Sequence, residues 1–512
     1  MYRAIVRTVA LSGLLILTDL CPHVSSVAAA QTDSRCTALL ETSLKGAKIE
    51  TAAVDGSICK IKGLAAPTAQ SRIHFEVWLP LSGWNGRIEM IGNGGYSPQI
   101  RFDELAALAR DGTAAVATDT GHSGEGLDFG FDNVEAIADW GHRAVHESIS
   151  AGKAITAAFY GRAPRYAYFA GCSTGGHQAL MEAQRYPMDF DGILAGDPGN
   201  NRTNLNFGFL WQFLSNHPKG DNEHPILSVD ELKLVNHAAM EKCDALDGVR
   251  DGIITDPRRC HFDPAELRCP AAKTTECLTE TQIAALRKMY KGAHRSDTGA
   301  SIYPGWPVGS EWIEGAGGWQ AYWANPQKPD EPQRVDYFRR WAFQDPAWDW
   351  WAFDWAKGVE TARTKLGPLV DAVSSDLSAF RRHGGKLILY QGSADPVVSA
   401  PDTIAYYDRL VRDNPNAGSF ARMFMVPGMA HCAGGPGATS FNSGTDPDHN
   451  ISLALRGWVE TDKAPDRIIA VKYKARTPDS GIAMSRPLCA WPKLPAYNDH
   501  GDTNDAANFI CR

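Results

Sequence analysis

The 512-residue sequence contains no Cys-x-x-Cys pair, no internal repeat, no low-complexity tract and, after residue 30, no long apolar run. The first absence removes the usual spacing of a structural zinc site, and the last leaves no later segment able to span a bilayer. Positive charge is also in deficit. Lys and Arg number 51 against 59 Asp and Glu, a formal net charge of −8, so nothing in the balance points to nucleic acid or an anionic membrane surface as partner. The one apolar run is short and terminal: Arg3 and Arg7 precede residues 9–17, and small residues follow to Ala28-Ala29-Ala30, the layout of a secretory leader cleaved near Ala30. Loss of Arg3, Arg7 and Asp19 with it moves the charge by one unit, to −9. Cys21 falls within the leader, and Thr18-Asp19-Leu20 before it lacks the small residues of a lipid-attachment site. The expectation is a secreted or periplasmic protein.

What is present begins with cysteine. Removing Cys21 leaves an even ten, which in an exported chain implies disulfides. Counting does not settle the pairing, but Cys36 lies close to Cys59, Cys243 to Cys260, Cys269 to Cys277 and Cys489 to Cys511, leaving Cys172 and Cys432. The length exceeds one ordinary domain, so a core with a large insertion is expected. From about Arg72 to Ala195, short apolar runs alternate with helix-like stretches: 74–79, 87–91 and 114–117, a helix over 144–159, a strand over 166–170 and a helix over 177–186. The alternation returns with 386–390, 403–411 and 422–426. This pattern argues an α/β fold with a mostly parallel sheet. Between the two halves the texture changes, and nine of the fifteen tryptophans fall between Trp306 and Trp355. They serve either a satellite core or a lid over a flat aromatic substrate. The expected division is a leader over 1–30, core over 31–199, lid over 200–370 and core again over 371–512.

Gly171-Cys172-Ser173-Thr174-Gly175 stands between the strand and the helix that follows it. In a G-x-S-x-G elbow the flanking glycines permit a strained turn and close backbone approach, and the serine is exposed at the helix N-terminus. The alternative is a surface turn. A serine hydroxyl needs a histidine base and a carboxylate to orient it, in the order Ser, acid, His. Asp395 in Gly392-Ser393-Ala394-Asp395-Pro396 and His431 in the Gly-rich loop from Pro427 to Gly435 each follow a predicted strand; taken singly, they read equally as an Asp-Pro turn and a loop histidine. Thr174 and either Gly94 or Gly95, after the strand 87–91, would supply the oxyanion N–H groups. Cys172 and Cys432 neighbour the proposed nucleophile and base, where a disulfide would staple the two loops together; a Cys172 nucleophile is the competing idea, but Ser173 holds the apex. His177 reads as a packing or capping residue. In 244–253, Asp244, Asp247 and Asp251 are spaced with two glycines, which suits calcium or a series of Asp-Gly turns.

With these motifs the chain resembles the tannase and feruloyl esterase family, which includes hydrolases of terephthalate monoesters. The resemblance rests on Gly171 to Gly176, Ala195-Gly196-Asp197-Pro198, Ala117 to His122, Asp345 to Asp349 and Pro427 to Cys432. It implies an α/β-hydrolase core with a large inserted lid, a Ser173, Asp395 and His431 triad, a Cys172–Cys432 bridge, and a structural calcium (Ca2+) held by the side chains of Asp244, Asp247 and Asp251 and the carbonyls of Val249 and Ile253. His177 stands where relatives often have arginine and Asp197 where alanine is common; neither is expected to touch the triad. Arg334, Arg339 and Arg340 are available in the lid to grip a substrate carboxylate, without assignment. The expected activity is hydrolysis of aromatic acid esters of feruloyl, galloyl or terephthaloyl type, with a small aromatic ester as partner. A serine peptidase or amidase on the same fold and a non-catalytic binder of plant-wall material are the rivals.

Overall fold

One nine-stranded sheet gathers strands from both ends of the chain. In the computed structural model, which describes residues 33–271, 275–475 and 477–512, its strands are β1 (Ala47–Asp55), β2 (Ile58–Ala65), β3 (Ile73–Pro80), β4 (Arg87–Ile91), β5 (Ala114–Thr118), β6 (Tyr166–Cys172), β7 (Gly192–Gly196), and two late strands, Lys386–Gly392 and Ala421–Val426. The leader read over 1–30, with Cys21, lies outside the described residues. The spatial order is β1-β2-β3-β5-β4-β6-β7 and then the late strands in sequence. The first three neighbouring pairs are antiparallel and the rest parallel. This is the α/β-hydrolase fold.

β6 pairs with both β4 and β7, so the nucleophile strand is central. Helices cover both faces, which is why the parallel strands read as continuous apolar runs; every residue of β5 is buried. On one face Ile149, Leu180, Met181 and Leu410 close over the sheet, and on the other Leu455 and Trp458 pack against Ile388 and Phe424. The helix after the elbow spans Thr174–Arg185, starting three residues before the sequence expectation because Gly175 and Gly176 are helical rather than part of the turn. The hairpin β1–β2 was not read at all: β1 is the exposed edge and carries little apolar signal, although β2 is mostly buried.

Residues between β7 and Lys386 build a second apolar core. Phe207, Phe209 and Phe213 on the helix Arg202–Asn216 pack with Trp306, Trp319, Trp323, Tyr337 and Trp341, while Trp348, Trp350, Trp351 and Trp355 lie half-buried against them. Much of the tryptophan is therefore structural. Tyr96 and Trp140, from the first part of the chain, belong to the same cluster, and Ile313 packs with Ala394 and Ala430, next to Asp395 and His431. Five disulfides join Cys36–Cys59, Cys172–Cys432, Cys243–Cys260, Cys269–Cys277 and Cys489–Cys511. Among the described residues no helix is long and apolar enough to cross a membrane.

Candidate active site

Ser173 sits between β6 and its helix at φ 63°, ψ −115°, a conformation costing about 1–3 kcal/mol that the surroundings must hold. They hold it tightly. The Ser173 amide donates to Gly196 O at 2.9 Å, and Ser173 O accepts from His177 at 3.0 Å and Gly199 at 3.2 Å. A Cβ on Gly171 would lie 2.6 Å from the Gly175 backbone, and one on Gly176 would lie 2.3 Å from Gly196 O. Gly171 and Gly176 are thus required by close approach of backbone, while Gly175 is tight, with Asn93 O 3.3 Å from its added Cβ.

Across the sheet edge, His431 Nε2 lies 2.8 Å from Ser173 Oγ and its Nδ1 lies 2.8 Å from Asp395 Oδ2. Asp395 is fully buried and its carboxylate is fixed by the amides of Val397 at 2.7 Å and Val398 at 3.0 Å and by Gln391 Nε2 at 3.2 Å. Nδ1–H donates to the carboxylate, which leaves Nε2 as acceptor for the serine proton. Burial, the largest influence on His431, presses its pKa down. The charge and hydrogen bond of Asp395, with the charge of Asp197, outweigh it and leave the pKa raised above 6.5.

Asp197 makes no hydrogen bond to Ser173, Asp395 or His431 among the described residues, but it lies beside them. Wholly buried, it accepts from the Cys432 amide through Oδ2 and from the Gly392 amide through Oδ1, both at 2.7 Å, so it ties the residue after the base to the start of the acid loop. One side-chain atom each from Asp197, Asp395 and His431 lie within 4.8 Å of one another. Burial, followed by the charge of Asp395, pushes the Asp197 carboxyl up to about 8. The sequence signal was an acid in an apolar strand-end setting, and only the three-dimensional neighbours give it meaning. His177 is buried, stacks on Trp140 at 5.5 Å and donates from Nε2 to Val370 O at 2.7 Å; burial and the Arg202 charge lower its pKa to about 3. Its ring packs and makes no hydrogen bond to the Ser173 hydroxyl.

The Thr174 hydroxyl donates to Gly95 O at 2.7 Å, drawing the Gly95 loop against the elbow. The amides of Thr174, Gly94 and Gly95 are taken by no hydrogen bond among the described residues. Gly94 is exposed and Gly95 half-buried. Tyr96 follows, buried in contact with Trp140 and Trp341 at 4.7 and 5.5 Å, so the loop is backed by the aromatic core. Of the three lid arginines, Arg339 binds Glu331 and Asp336, and Arg340 binds Asp128. Arg334 has no ion pair among the described residues; its guanidinium lies 4.9 Å from the Tyr96 ring and reaches the space beside Gly95.

The acidic loop lies behind the acid and histidine loops. Ser393 Oγ donates to Ile254 O at 3.4 Å and accepts from Gly428 N at 2.9 Å. Asp244 Oδ1 accepts from the amides of Asp251, Gly252 and Ile253, Asp247 from Val249 N and Thr255 Oγ1, and Asp251 Oδ2 from Arg486. Asp251 Oδ1 is buried without a partner, and no hydrogen bond among the described residues uses the carbonyls of Val249 and Ile253. The donor set is all oxygen, the chemistry a calcium ion takes. The three carboxylates are not among the sets converging within 4.8 Å, so an ion would draw them together.

Comparison with known proteins agrees with this geometry. The family model "Tannase and feruloyl esterase" matches residues 59–512. The chain is 34% identical to mono(2-hydroxyethyl) terephthalate hydrolase of Piscinibacter sakaiensis, covering 90% of this chain and 84% of that protein. It is 33% identical to probable feruloyl esterase B of Aspergillus clavatus, over 90% and 87%. Among solved structures, feruloyl esterase B from Aspergillus oryzae superposes with a TM-score of 0.86 at 27% identity, over 94% of this chain and 99% of that one. Fold, matched length and similarity together establish that this chain belongs to the tannase and feruloyl esterase family of carboxylic ester hydrolases.

Proposed function

We propose that the protein is an exported serine esterase that hydrolyses esters of aromatic acids through an acyl-enzyme. Ser173 Oγ adds to the ester carbonyl carbon while its proton passes to His431 Nε2. The carbonyl oxygen takes the negative charge between the amides of Thr174 and Gly95. Collapse expels the alcohol, which carries away the proton from His431, and a water molecule repeats the sequence to release the acid. Asp395 orients the ring and stabilises the imidazolium. Gly95 is preferred to Gly94 as the second donor because Thr174 Oγ1 binds its carbonyl.

The observation that carries this reading is the continuous Asp395–His431–Ser173 hydrogen-bond run at the apex of the elbow. The names of the relatives support an aromatic acyl group, and Arg334, without an ion pair among the described residues and reaching the space beside Gly95, favours one carrying negative charge. The five disulfides support export. A calcium ion would be held by Asp244, Asp247, Asp251 and the carbonyls of Val249 and Ile253. It would brace the loop behind Ser393 and take no part in the reaction.

The test is a panel of methyl ferulate, methyl gallate, chlorogenate, a terephthalate monoester and a peptide anilide, read as kcat/KM for wild type and for Ser173→Ala and His431→Ala. Loss of several orders of magnitude in folded variants is expected. Wild-type turnover by folded Ser173→Ala, or preference for the anilide, would overturn the reading.

A further inference from the structure

Arg202 is a buried cation with no counter-ion among the described residues. It is 3% exposed and stands on the first turn of the helix Arg202–Asn216. Its Nη2 donates to Thr174 Oγ1 at 3.0 Å, its Nε has no partner, and it makes no ion pair among the described residues. The Tyr96 and Trp140 rings lie 5.6 and 5.3 Å from its guanidinium carbon. Asp371, the carboxylate that attracts it, accepts instead from the Thr203 amide at 2.8 Å. Arg334 adds repulsion, and burial presses the Arg202 pKa down, yet a guanidinium keeps its proton. An uncompensated buried charge is costly, and packing alone does not call for one, since an apolar chain would fill the space beside the two stacked rings.

The use of the charge follows from the direction of the hydrogen bonds. A threonine hydroxyl has one proton. Because Arg202 can only donate, Thr174 Oγ must accept from it and give its own proton to Gly95 O, a bond of 2.7 Å. The relay of guanidinium, hydroxyl and carbonyl therefore has one polarity and runs from behind the nucleophile to the oxyanion loop. In a water-poor setting each bond strengthens the next.

We propose that Arg202 is a positioning residue of the oxyanion hole: through Thr174 Oγ it fixes Gly95 against Thr174 and sets an unneutralised positive charge behind both N–H donors, favouring the tetrahedral transition state over the bound ester. The proposal rests on the serine esterase reading above. The charge reinforces the positive end of the helix that starts at Thr174, on the side of Ser173 where negative charge develops, and being fixed in place it needs no reorganisation during the reaction.

The experiment compares Arg202→Met, which keeps the stacked volume, Thr174→Val, which keeps the backbone donor but breaks the relay, Thr174→Ser, which restores the hydroxyl, and the Arg202→Met/Thr174→Val pair. Ser173→Ala runs alongside. The readouts are kcat and KM on the best ester of the panel and Ki for phenylboronic acid, which forms a tetrahedral adduct on a reactive serine. Expected are falls in kcat of about 10- to 100-fold for Arg202→Met and Thr174→Val, a comparable rise in Ki, and KM within about threefold of wild type. Thr174→Ser should recover most of the loss, and the double variant should be no worse than the poorer single one. Wild-type kcat in folded Thr174→Val, falls that multiply in the double variant, or a loss of kcat with Ki unchanged would each overturn the proposal. If Arg202→Met does not fold, the two Thr174 variants decide. An inactive Ser173→Ala beside an unaffected Thr174→Val sinks this proposal alone, whereas an active Ser173→Ala sinks the esterase reading beneath it.

Discussion

Replacing Cys172 and Cys432 together by serine removes the one disulfide that joins the elbow to the histidine loop. The bridge spans 260 residues of sequence. In the chain-entropy model a loop of that size restricts the unfolded chain by about 5.5 kcal/mol at 25 °C. With an unfolding entropy of about 2.1 cal/mol/K per residue, a chain of about 480 ordered residues loses about 5 °C in Tm for that amount. The effect should reach beyond stability, because Cys432 is also the residue whose amide Asp197 holds and whose neighbour is the base. A loosened His431 loop lengthens the Nε2 to Oγ contact, and misplacement by about 1 Å costs on the order of 100-fold in rate. The assay is a scanning measurement of Tm with kcat taken at 20 °C, where the variant remains folded. A drop of about 5 °C with kcat lowered tenfold or more is expected. A fall below 2 °C together with wild-type kcat would falsify both parts of the reasoning.

The acid limb of kcat/KM against pH should have its midpoint above 6.5, since His431 must be neutral to accept the serine proton and its pKa is raised. In Asp197→Asn the midpoint should move down, because the Asp197 charge helps to raise the His431 pKa against burial and the opposing charge of Arg334; a limb unchanged in position would remove Asp197 from the account. Chelation of undialysed protein should lower Tm, Asp247→Ala should reproduce the loss, and added calcium should rescue wild type only; metal analysis showing no calcium, with Tm indifferent to chelator, would reduce the loop to a run of turns. Gly176→Ala should destabilise by about 3 kcal/mol or prevent folding, because its methyl meets Gly196 O at 2.3 Å; a soluble variant with wild-type Tm would contradict the close approach.

The parallel strands were legible because both faces are covered, so Arg87–Ile91, Ala114–Thr118 and Ala421–Val426 appear as apolar runs with little ambiguity. The order of Ser173, Asp395 and His431, each after a strand, was legible for the same reason. What was not legible depends on partners far away in sequence. Asp197 gains its meaning only from Gly392 and Cys432, and Arg202 only from Thr174 and Tyr96. The tryptophans divide between buried core and half-buried flank according to packing, which periodicity in an irregular segment does not encode.

The bridge from Cys172 to Cys432 also decides what a broken chain would do. The exposed loop at Pro218–Gly220 lies inside the 260-residue span, and the other four bridges each fall wholly on one side of it. A single cut after Lys219 would give two polypeptides, one carrying Ser173 and the other Asp395 and His431, held together by one covalent link beside the proposed reaction centre. The molecule can thus be severed as a chain and remain joined as an enzyme, running as one band without reductant and as two with it.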